Sequence, residues 1–318
     1  MSLLSALTTA ILPVLSIATV GYLVGTIRDI DVDALGTITL YVLIPALIFH
    51  SLATTSLAGT TALLVIGSVI LFTFSMVGIV ELGGRLLGKS EPALSALVLS
   101  SVFPNAGNYG IPLSEFAFGP VGRSTAVLFI AGQAIMMYTV GVYVASRGQS
   151  STRDAIGRVF RIPLIYAVVL AFLARVIGVV PPTESTVMRT IELVGEASIP
   201  VMLLMLGIQL ANTSSGVAVR RVMVANAFKL AVAPVIGLGI VLAIGQLEST
   251  VARVFILECG MPAAVTPLIL AIEFEDPGGT AAQLSRPEYI STAILTTTLI
   301  SVPTLTVLIT VLQAGIII

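Results

Sequence analysis

Apolar residues occur along the chain in ten long stretches that are separated by short polar segments. A hydrocarbon core about 30 Å thick is crossed by a helix of about 20 apolar residues. The stretches have this length and lack the alternation of barrel strands. The pattern therefore predicts an all-α polytopic membrane protein with ten transmembrane helices. They cover roughly 3–27, 34–54, 59–84, 92–118, 122–146, 162–180, 187–211, 219–245, 250–273 and 288–317.

The composition agrees with this pattern. Of the 318 residues, 57% are hydrophobic and only 10% are charged, against about 25% charged in a soluble globular chain. This excludes a fold whose whole surface faces water. A net charge of -1 makes nucleic acid an unnatural partner. With one Cys, one His and no Asp inside a predicted helix, neither a metal centre nor a catalytic set can be assembled, so we expect no cofactor and no enzymatic activity.

Basic residues predict the orientation of the chain in the membrane. They concentrate in cytoplasmic loops, and ten of those outside the helices fall on one side of the predicted topology. That side is therefore the cytoplasmic one, which places both termini outside the cell membrane. The ten are Arg28, Arg85, Lys89, Arg147, Arg153, Arg158, Arg161, Arg220, Arg221 and Arg286; Arg123, Arg175, Arg189 and Arg253 lie on the other side.

The stretches form two equal sets. Five lie in 1–148 and five in 162–318, with a short cytoplasmic linker at 149–161. An odd number of helices per half inverts the second half relative to the first, which is the layout of inverted-repeat transporters. Prolines at similar shifts support the repeat, although prolines are also simply frequent in membrane helices. The matching pairs are Pro13 with Pro163, Pro45 with Pro200, and Pro104 with Pro262.

Two equivalent stretches, the fourth and the ninth, contain residues that break helices. Proline removes a donor and glycine loosens the backbone, so we expect both helices to break near mid-membrane and to cross. Unwound backbone survives at that depth only when it is buried in protein or lines a wet cavity. Broken helices at corresponding positions are the best sequence indication of a transport site. The prolines assigned to the breaks are Pro104, Pro112, Pro262 and Pro267.

The chemistry of the breaks predicts an anionic ligand. Each break leaves a half-helix N-terminus with free N–H groups and partial positive charge, which favours a carboxylate. Asn105 and Asn108 add neutral amide donors, although they could instead only cap the broken helix. The opposing half-helix ends present carbonyl groups that could hold a cation. The predicted substrate-binding residues are Asn105, Gly107, Asn108, Tyr109, Gly110, Pro112, Gln133, Gly260, Pro262, Ala263 and Ala264.

The run Asn105-Ala-Gly-Asn108-Tyr-Gly110-Ile-Pro112 resembles the fourth-helix motif of the auxin efflux carrier family, the PIN-like transporters. The end of the ninth stretch, 270–276, is similar to a less specific family motif. The resemblance implies a fold related to bile-acid symporters and sodium/proton antiporters. It also implies a scaffold of helices one, two, six and seven (1–55 plus 162–212), and a transport core of the others (56–148 plus 218–318) that moves like an elevator. Family members are expected to form homodimers through the scaffold.

The resemblance further implies a secondary-active transporter of small organic anions, which binds a carboxylate at the crossing of the broken helices. Plant members export auxin, and bacterial relatives are associated with dicarboxylates such as malate and malonate. The linker 149–161 lacks the long regulatory loop of plant carriers, so the chain is closer to prokaryotic members. Whether auxin-like monocarboxylates or dicarboxylates are carried stays open. The expected partners are this small carboxylate, the lipid bilayer and a second copy of the chain.

Four ionisable residues at depth are candidates for proton or ion coupling, since such groups are costly inside a membrane. Glu258 precedes the second break and could carry a proton, or it could form a structural pair with Lys229. Glu196 is expected to line an outward cavity or an interface. His50, the single histidine, could sense pH or form a hydrogen bond between helices.

Other functions remain as alternatives. The main one is a sodium- or proton-coupled symporter or antiporter of a related fold. An antiporter needs titratable carboxylates at the crossing, and here the first break carries Asn105 and Asn108 instead. Sodium coupling is possible because Asn side chains and backbone oxygens bind sodium. A membrane receptor that binds the ligand without transporting it would show no flux.

Overall fold

The computed structural model of the protein describes residues 12–28, 30, 32–54, 57, 59–146, 163–212, 219–274, 285–316 and 318. The regular structure of these residues is helical, with one isolated β-bridge. The predicted linker 149–161 lies outside them.

Seven α-helices and three π-helical turns make up the described part of the first half. The α-helices are α1 (Leu12–Ile27), α2 (Val32–Ile38), α3 (Ile44–Thr54), α4 (Gly59–Leu86), α5 (Ala93–Val102), α6 (Ile111–Met136) and α7 (Val142–Ser146), and the π-helical turns are Thr39–Leu43, Ala106–Gly110 and Met137–Gly141.

The described part of the second half has eight α-helices and one π-helical turn. These are α8 (Pro163–Ile177), α9 (Thr186–Glu196), α10 (Ser198–Asn212), α11 (Val219–Ala227), α12 (Ala233–Ile244), α13 (Ser249–Cys259), α14 (Thr266–Glu273) and α15 (Arg286–Gln313), with the π-helical turn Phe228–Val232 between α11 and α12.

Six continuous helical segments of the described residues are long and apolar enough to cross a membrane. The outer surface carries many large apolar side chains, such as Leu86, Val176 and Leu193, which are 79%, 84% and 72% exposed. Such a surface suits lipid rather than water. The prediction of an all-helical polytopic membrane protein is therefore confirmed. The six segments are Ala34–Thr54, Gly59–Leu86, Ala106–Ser146, Thr186–Ile208, Val222–Ile244 and Arg286–Gln313.

The longest of these segments, Ala106–Ser146, is interrupted at one residue. Gly119 has φ 66° and ψ −154°, a conformation that is essentially restricted to glycine. Pro120 follows it and has no N–H to continue the helical hydrogen bonds. The interruption falls between the predicted fourth and fifth stretches, so α6 contains the end of one stretch and most of the next.

The helices pack in two groups. In the first, α1 lies along α10, while α8 and α9 pack on α3. The backbones of α1 and α10 lie very close together. A Cβ atom at Gly21 would overlap the Leu204 backbone, and one at Gly207 would overlap the carbonyl of Ala18. Small residues allow such approach between membrane helices. In the second group, α6 packs against α4 and α13, and α15 packs against α5 and α11.

Candidate functional site

The two broken segments meet and pair with each other. Pro104 and Ala263 form an antiparallel β-bridge. Two backbone hydrogen bonds flank it: Asn105 N donates to Pro262 O at 2.7 Å, and Ala264 N donates to Phe103 O at 3.0 Å. We call this pairing of 103–105 with 262–264 the crossover. Unwound backbone from both halves of the chain is thus hydrogen-bonded at a single place.

Proline explains where the helices end. The residue before a proline is driven out of the α conformation, and Phe103 is extended with φ −94° and ψ 110°. Pro104 and Pro262 lie in the non-helical segments, as predicted. The prediction was wrong in detail for the other two prolines. Pro267 lies in the first turn of α14, where a missing N–H costs nothing. Pro112 lies at the second residue of α6, directly after the π-helical turn Ala106–Gly110, inside a continuous helical segment. Neither proline breaks a helix.

Side chains bond to the backbone groups of the crossover that point away from the opposite strand. Gln133 Nε2 donates to Pro104 O at 2.8 Å. On the opposite strand, Ala263 N donates to Thr297 Oγ1 at 3.1 Å. Gln133 belongs to α6 and Thr297 to α15, so each strand is supported by a helix from its own half of the chain. The support leaves little freedom in the crossover backbone.

This bonding determines which predicted binding groups are available. The backbone N–H groups of Asn105, Ala263 and Ala264 already have partners within the protein. The Asn105 side chain is 5% exposed, and it makes no capping hydrogen bond although it occupies the N-cap position of the turn Ala106–Gly110. Within the described residues, Asn105 Nδ2 and Gln133 Oε1 are buried without a hydrogen-bond partner.

The remaining predicted residues of the first break surround this point. Asn108 is half-buried, whereas Tyr109 is fully buried. A Cβ atom at Gly107 would lie 2.8 Å from the end of the Ile130 side chain. A Cβ atom at Gly110 would likewise meet the carboxyl group of Glu258, so both glycines of the turn lie in tight contacts. On the second break, Gly260 has its N–H bonded to carbonyl groups of the preceding turn of α13.

Glu258 connects the two broken helices. It is fully buried near the end of α13, and Ser114 Oγ of α6 donates to its Oε1 at 2.6 Å. A Cβ atom at Gly110 would lie 2.8 Å from Glu258 Cδ and would overlap Oε2. Oε2 has no hydrogen-bond partner among the described residues. A carboxyl group thus lies between the end of one half-helix and the start of the other.

Lys229 is also fully buried, in the π-helical turn before α12. Its Nζ donates to Cys259 O at 3.3 Å and lies 5.9 Å from the centroid of the Phe72 ring. The ion pairs within 4 Å that the described residues form do not include Lys229 with Glu258. The cation instead contacts a carbonyl at the C-terminal end of α13, where the helix dipole favours positive charge.

His50 and Glu196 lie elsewhere. They line a cavity of about 680 Å³ whose lining includes none of the crossover residues. His50 Nε2 is 3.8 Å from Glu192 Oε1 of α9. Neither residue is therefore brought to the crossover. The cavity is lined by His50, Thr54, Thr183, Glu184, Arg189, Glu192, Leu193 and Glu196.

Two hydroxyl residues of the site were not anticipated. Ser114 bonds to Glu258, and Thr297 accepts from Ala263 N. The sequence feature that could have indicated Thr297 was the run Thr296-Thr297-Thr298 inside an apolar stretch, because hydroxyl groups often connect membrane helices. That signal does not indicate which hydroxyl meets which partner.

Comparison with known proteins identifies the family of the chain. The family model described as membrane transport protein matches residues 6–309, nearly the whole chain, including both broken segments. The chain belongs to the auxin efflux carrier family.

Two similar members of this family are archaeal. An uncharacterized transporter of Methanothermobacter thermautotrophicus is 25% identical over 272 residues, which are 84% of this chain and 88% of the relative. One of Methanocaldococcus jannaschii is 24% identical over 278 residues, 83% of this chain and 88% of the relative. The protein is thus a prokaryotic-type member of the auxin efflux carrier family.

Proposed function

We propose that the protein is a secondary-active transporter of small organic anions that binds a carboxylate at the crossover. The observation that carries the proposal is the Asn105 amide, which is buried at the N-terminal end of a half-helix and has no partner for Nδ2 in the described part of the chain. The first N–H groups of a helix and a neutral amide donor together suit an anion. A monocarboxylate and a small dicarboxylate both meet this requirement.

We propose ten transmembrane helices in two inverted repeats. In support, the crossover joins the two halves, and Gln133 and Thr297 support it from the fifth and tenth apolar stretches, which are equivalent in such a repeat. The scaffold would comprise 1–55 plus 162–212, and the transport core 56–148 plus 218–318. The packing of α1 with α10, and of α3 with α8 and α9, supports the scaffold. Alternating access would follow from an elevator movement of the core.

The protein is proposed to lie in the cell membrane as a homodimer, with both termini outside the cell. The distribution of Lys and Arg along the sequence supports this orientation. The proposed dimer forms through scaffold helices, and α1 and α8 carry exposed apolar side chains such as Leu23 and Leu170.

Coupling to a cation is the second candidate, and Glu258 favours it. A fully buried carboxyl group beside the crossover, with Oε2 unpartnered among the described residues, is what proton or sodium coupling requires. A symporter would move the anion together with the cation. An antiporter would move sodium and protons without any anion.

The test is uptake of radiolabelled malate, malonate and indole-3-acetate into proteoliposomes of the purified protein. Asn105→Ala should abolish saturable uptake of each transported anion. The matched control is Gln313→Ala, which also removes a side-chain amide. Gln313 is the last residue of α15, and its amide bonds to Ala117 O at 2.8 Å, away from the crossover. It should leave uptake at the level of the parent.

Three results would contradict the proposal. Uptake that is unchanged in Asn105→Ala would remove the crossover as the binding site. An absence of anion flux, together with sodium-dependent proton movement in the same vesicles, would establish the antiporter instead. Ligand binding without flux would identify a receptor.

A further inference from the structure

The C-terminal end of α3 is a place where the proposed scaffold contacts the proposed transport core. The last four carbonyl groups of a helix have no partner within the helix. At this end of α3 one of them is bonded from the core, because Ser124 Oγ of α6 donates to Ser51 O at 3.3 Å. We call the contact of 50–52 with 123–124 the outer junction, since the proposed orientation places it towards the outside of the cell.

His50 adjoins this bond and also faces a cavity. It is 8% exposed and lines the cavity of about 680 Å³. The cavity opens to the surface, because Glu184 and Arg189 in its lining have exposed side chains. His50 Nε2 lies 3.8 Å from Glu192 Oε1, which is too far for a hydrogen bond. Histidine changes its charge between about pH 5 and pH 8, so a proton from outside can charge a side chain of the outer junction.

Arg123 is the cation on the core side of the outer junction. The residue is 9% exposed, and its Nη1 donates to Glu115 Oε1 at 3.2 Å. Its Nε is buried without a hydrogen-bond partner among the described residues. Burial of an incompletely bonded charge is costly. A second positive charge near Arg123 therefore makes its burial still less favourable.

The charges that act on His50 have opposite effects in the two parts of the protein. Glu192 and Glu196 of the scaffold attract a charged imidazole ring, whereas Arg123 of the core repels it. A proton on His50 thus strengthens a contact within the scaffold and weakens the contact between scaffold and core. The ionisable groups that face His50, its helix or its cavity are Glu184, Arg189, Glu192 and Glu196 on one side, Arg175 of α8, and Arg123 with Glu115 of α6.

On the basis of the proposed function, we propose that the outer junction is a pH-dependent switch, in which a proton on His50 releases the transport core from the scaffold. While His50 is uncharged, Arg123 stays buried and Ser124 keeps its bond to Ser51. When His50 is charged, the ring pairs with Glu192 and repels Arg123, so the core leaves the end of α3 more readily. The proton stays on the scaffold. It regulates the movement of the core and is not carried with the substrate.

The experiment measures the position of the core relative to the scaffold by pulsed electron paramagnetic resonance. Spin labels are attached to Val187→Cys in α9 of the scaffold and to Gln246→Cys between α12 and α13 of the core. Both positions are exposed, whereas the native Cys259 is fully buried, so only the introduced cysteines react. The full-length protein is placed in lipid nanodiscs after dilution with unlabelled protein, so that the distances measured lie within one chain.

The doubly labelled parent should respond to acidity. A change from about pH 8 to about pH 5.5, the range in which histidine titrates, should raise the ratio of displaced to undisplaced core about tenfold, the effect of one unfavourable charge pair at a partly screened site. His50→Gln keeps a polar side chain that cannot be charged, so its ratio should be the same at both pH values. The matched control is Glu184→Gln, which removes a carboxylate from the same cavity; because Glu184 is exposed and paired with Arg189, the response should persist.

Two variants on the core side test the repulsion itself. Arg123→Gln removes the repelled charge and should abolish the response, whereas Arg123→Lys keeps the charge and should retain it. If His50→Gln does not fold, the comparison of these two variants decides the matter. A response that persists in His50→Gln or in Arg123→Gln would overturn the switch.

Failure of the switch can be distinguished from failure of the proposed function. A parent whose core moves equally at both pH values, and which still takes up anions in proteoliposomes, would overturn the switch and leave the proposed function intact. A core that moves at neither pH value would overturn the switch together with the elevator movement. Anion uptake by the same preparation would then decide separately whether the protein is a transporter.

Discussion

Replacement of Gly110 by alanine tests the close contact between the broken helices. The added Cβ atom would lie 2.8 Å from Glu258 Cδ and would overlap Oε2. Glu258 is fully buried and is bonded to Ser114 Oγ at 2.6 Å, so it cannot swing into solvent. Gly110→Ala must therefore displace the carboxyl group or separate the two half-helices.

The magnitude follows from three contributions. Overpacking of a buried site costs about 1–3 kcal/mol. Loss of the bond between Ser114 and Glu258 adds about 0.6 kcal/mol, the average for hydrogen bonds between membrane helices. Alanine regains up to about 1 kcal/mol over glycine in helical backbone. The net loss of free energy of unfolding is about 1–3 kcal/mol.

The single cysteine offers a direct assay. Cys259 is fully buried next to Glu258, so a thiol-reactive fluorophore reports its exposure on heating. At about 2 °C per kcal/mol for a chain of this size, Gly110→Ala should lower the melting temperature by about 2–6 °C. The matched control is Gly67→Ala in α4, where a Cβ atom would meet nothing within 4 Å; it should melt at or slightly above the parent temperature.

A double mutant identifies the partner in this contact. In a Glu258→Ala background the overlap is gone, so Gly110→Ala should cost almost nothing there. An interaction free energy near zero in this cycle, or a Gly110→Ala protein that melts with the parent, would refute the steric argument.

Three further predictions concern coupling, support and orientation. Glu258→Gln should flatten the pH dependence of anion uptake if Glu258 carries the proton; identical profiles for parent and variant would exclude that role. Thr297→Val should destabilise the protein by about 1–3 kcal/mol, because it leaves Ala263 N–H buried and unpaired. The control Thr298→Val should be nearly neutral, because the Thr298 hydroxyl bonds to Ile294 O of its own helix. Equal melting temperatures of the two variants would show that Thr297 does not stabilise the crossover. Cysteines placed in 149–161 should resist an impermeant thiol reagent in intact cells, and labelling there would reverse the proposed orientation.

The break in the fourth stretch could be predicted from the sequence because its cause is local. Pro104 acts on the conformation of Phe103 and on the hydrogen bonds of the preceding turn, and neither effect needs a distant residue. The same reasoning led to the break at Pro262. It overstated the roles of Pro112 and Pro267, because a proline at the start of a helix and one that ends a helix look alike in a linear sequence.

The contacts that complete the site could not be predicted in this way. Ser114 meets Glu258 across 144 positions of the chain, and Thr297 meets Ala263 across 34. Such pairings depend on the rotation of each helix about its axis and on the depth of each break, to within about one residue. Sequence periodicity fixes element boundaries only to a few residues. Lys229 illustrates the limit, since its buried charge could be foreseen but not its contact with Cys259 O.

The hydrogen bonds that hold the crossover together do not involve every polar side chain within it. Its strands are held by backbone bonds, by Thr297 and by the Gln133 amide nitrogen, whereas the Asn105 side chain makes no capping hydrogen bond. A substitution that removes only the Asn105 amide therefore leaves each of these bonds in place. The chemistry of the crossover can thus change at position 105 at a small cost in stability.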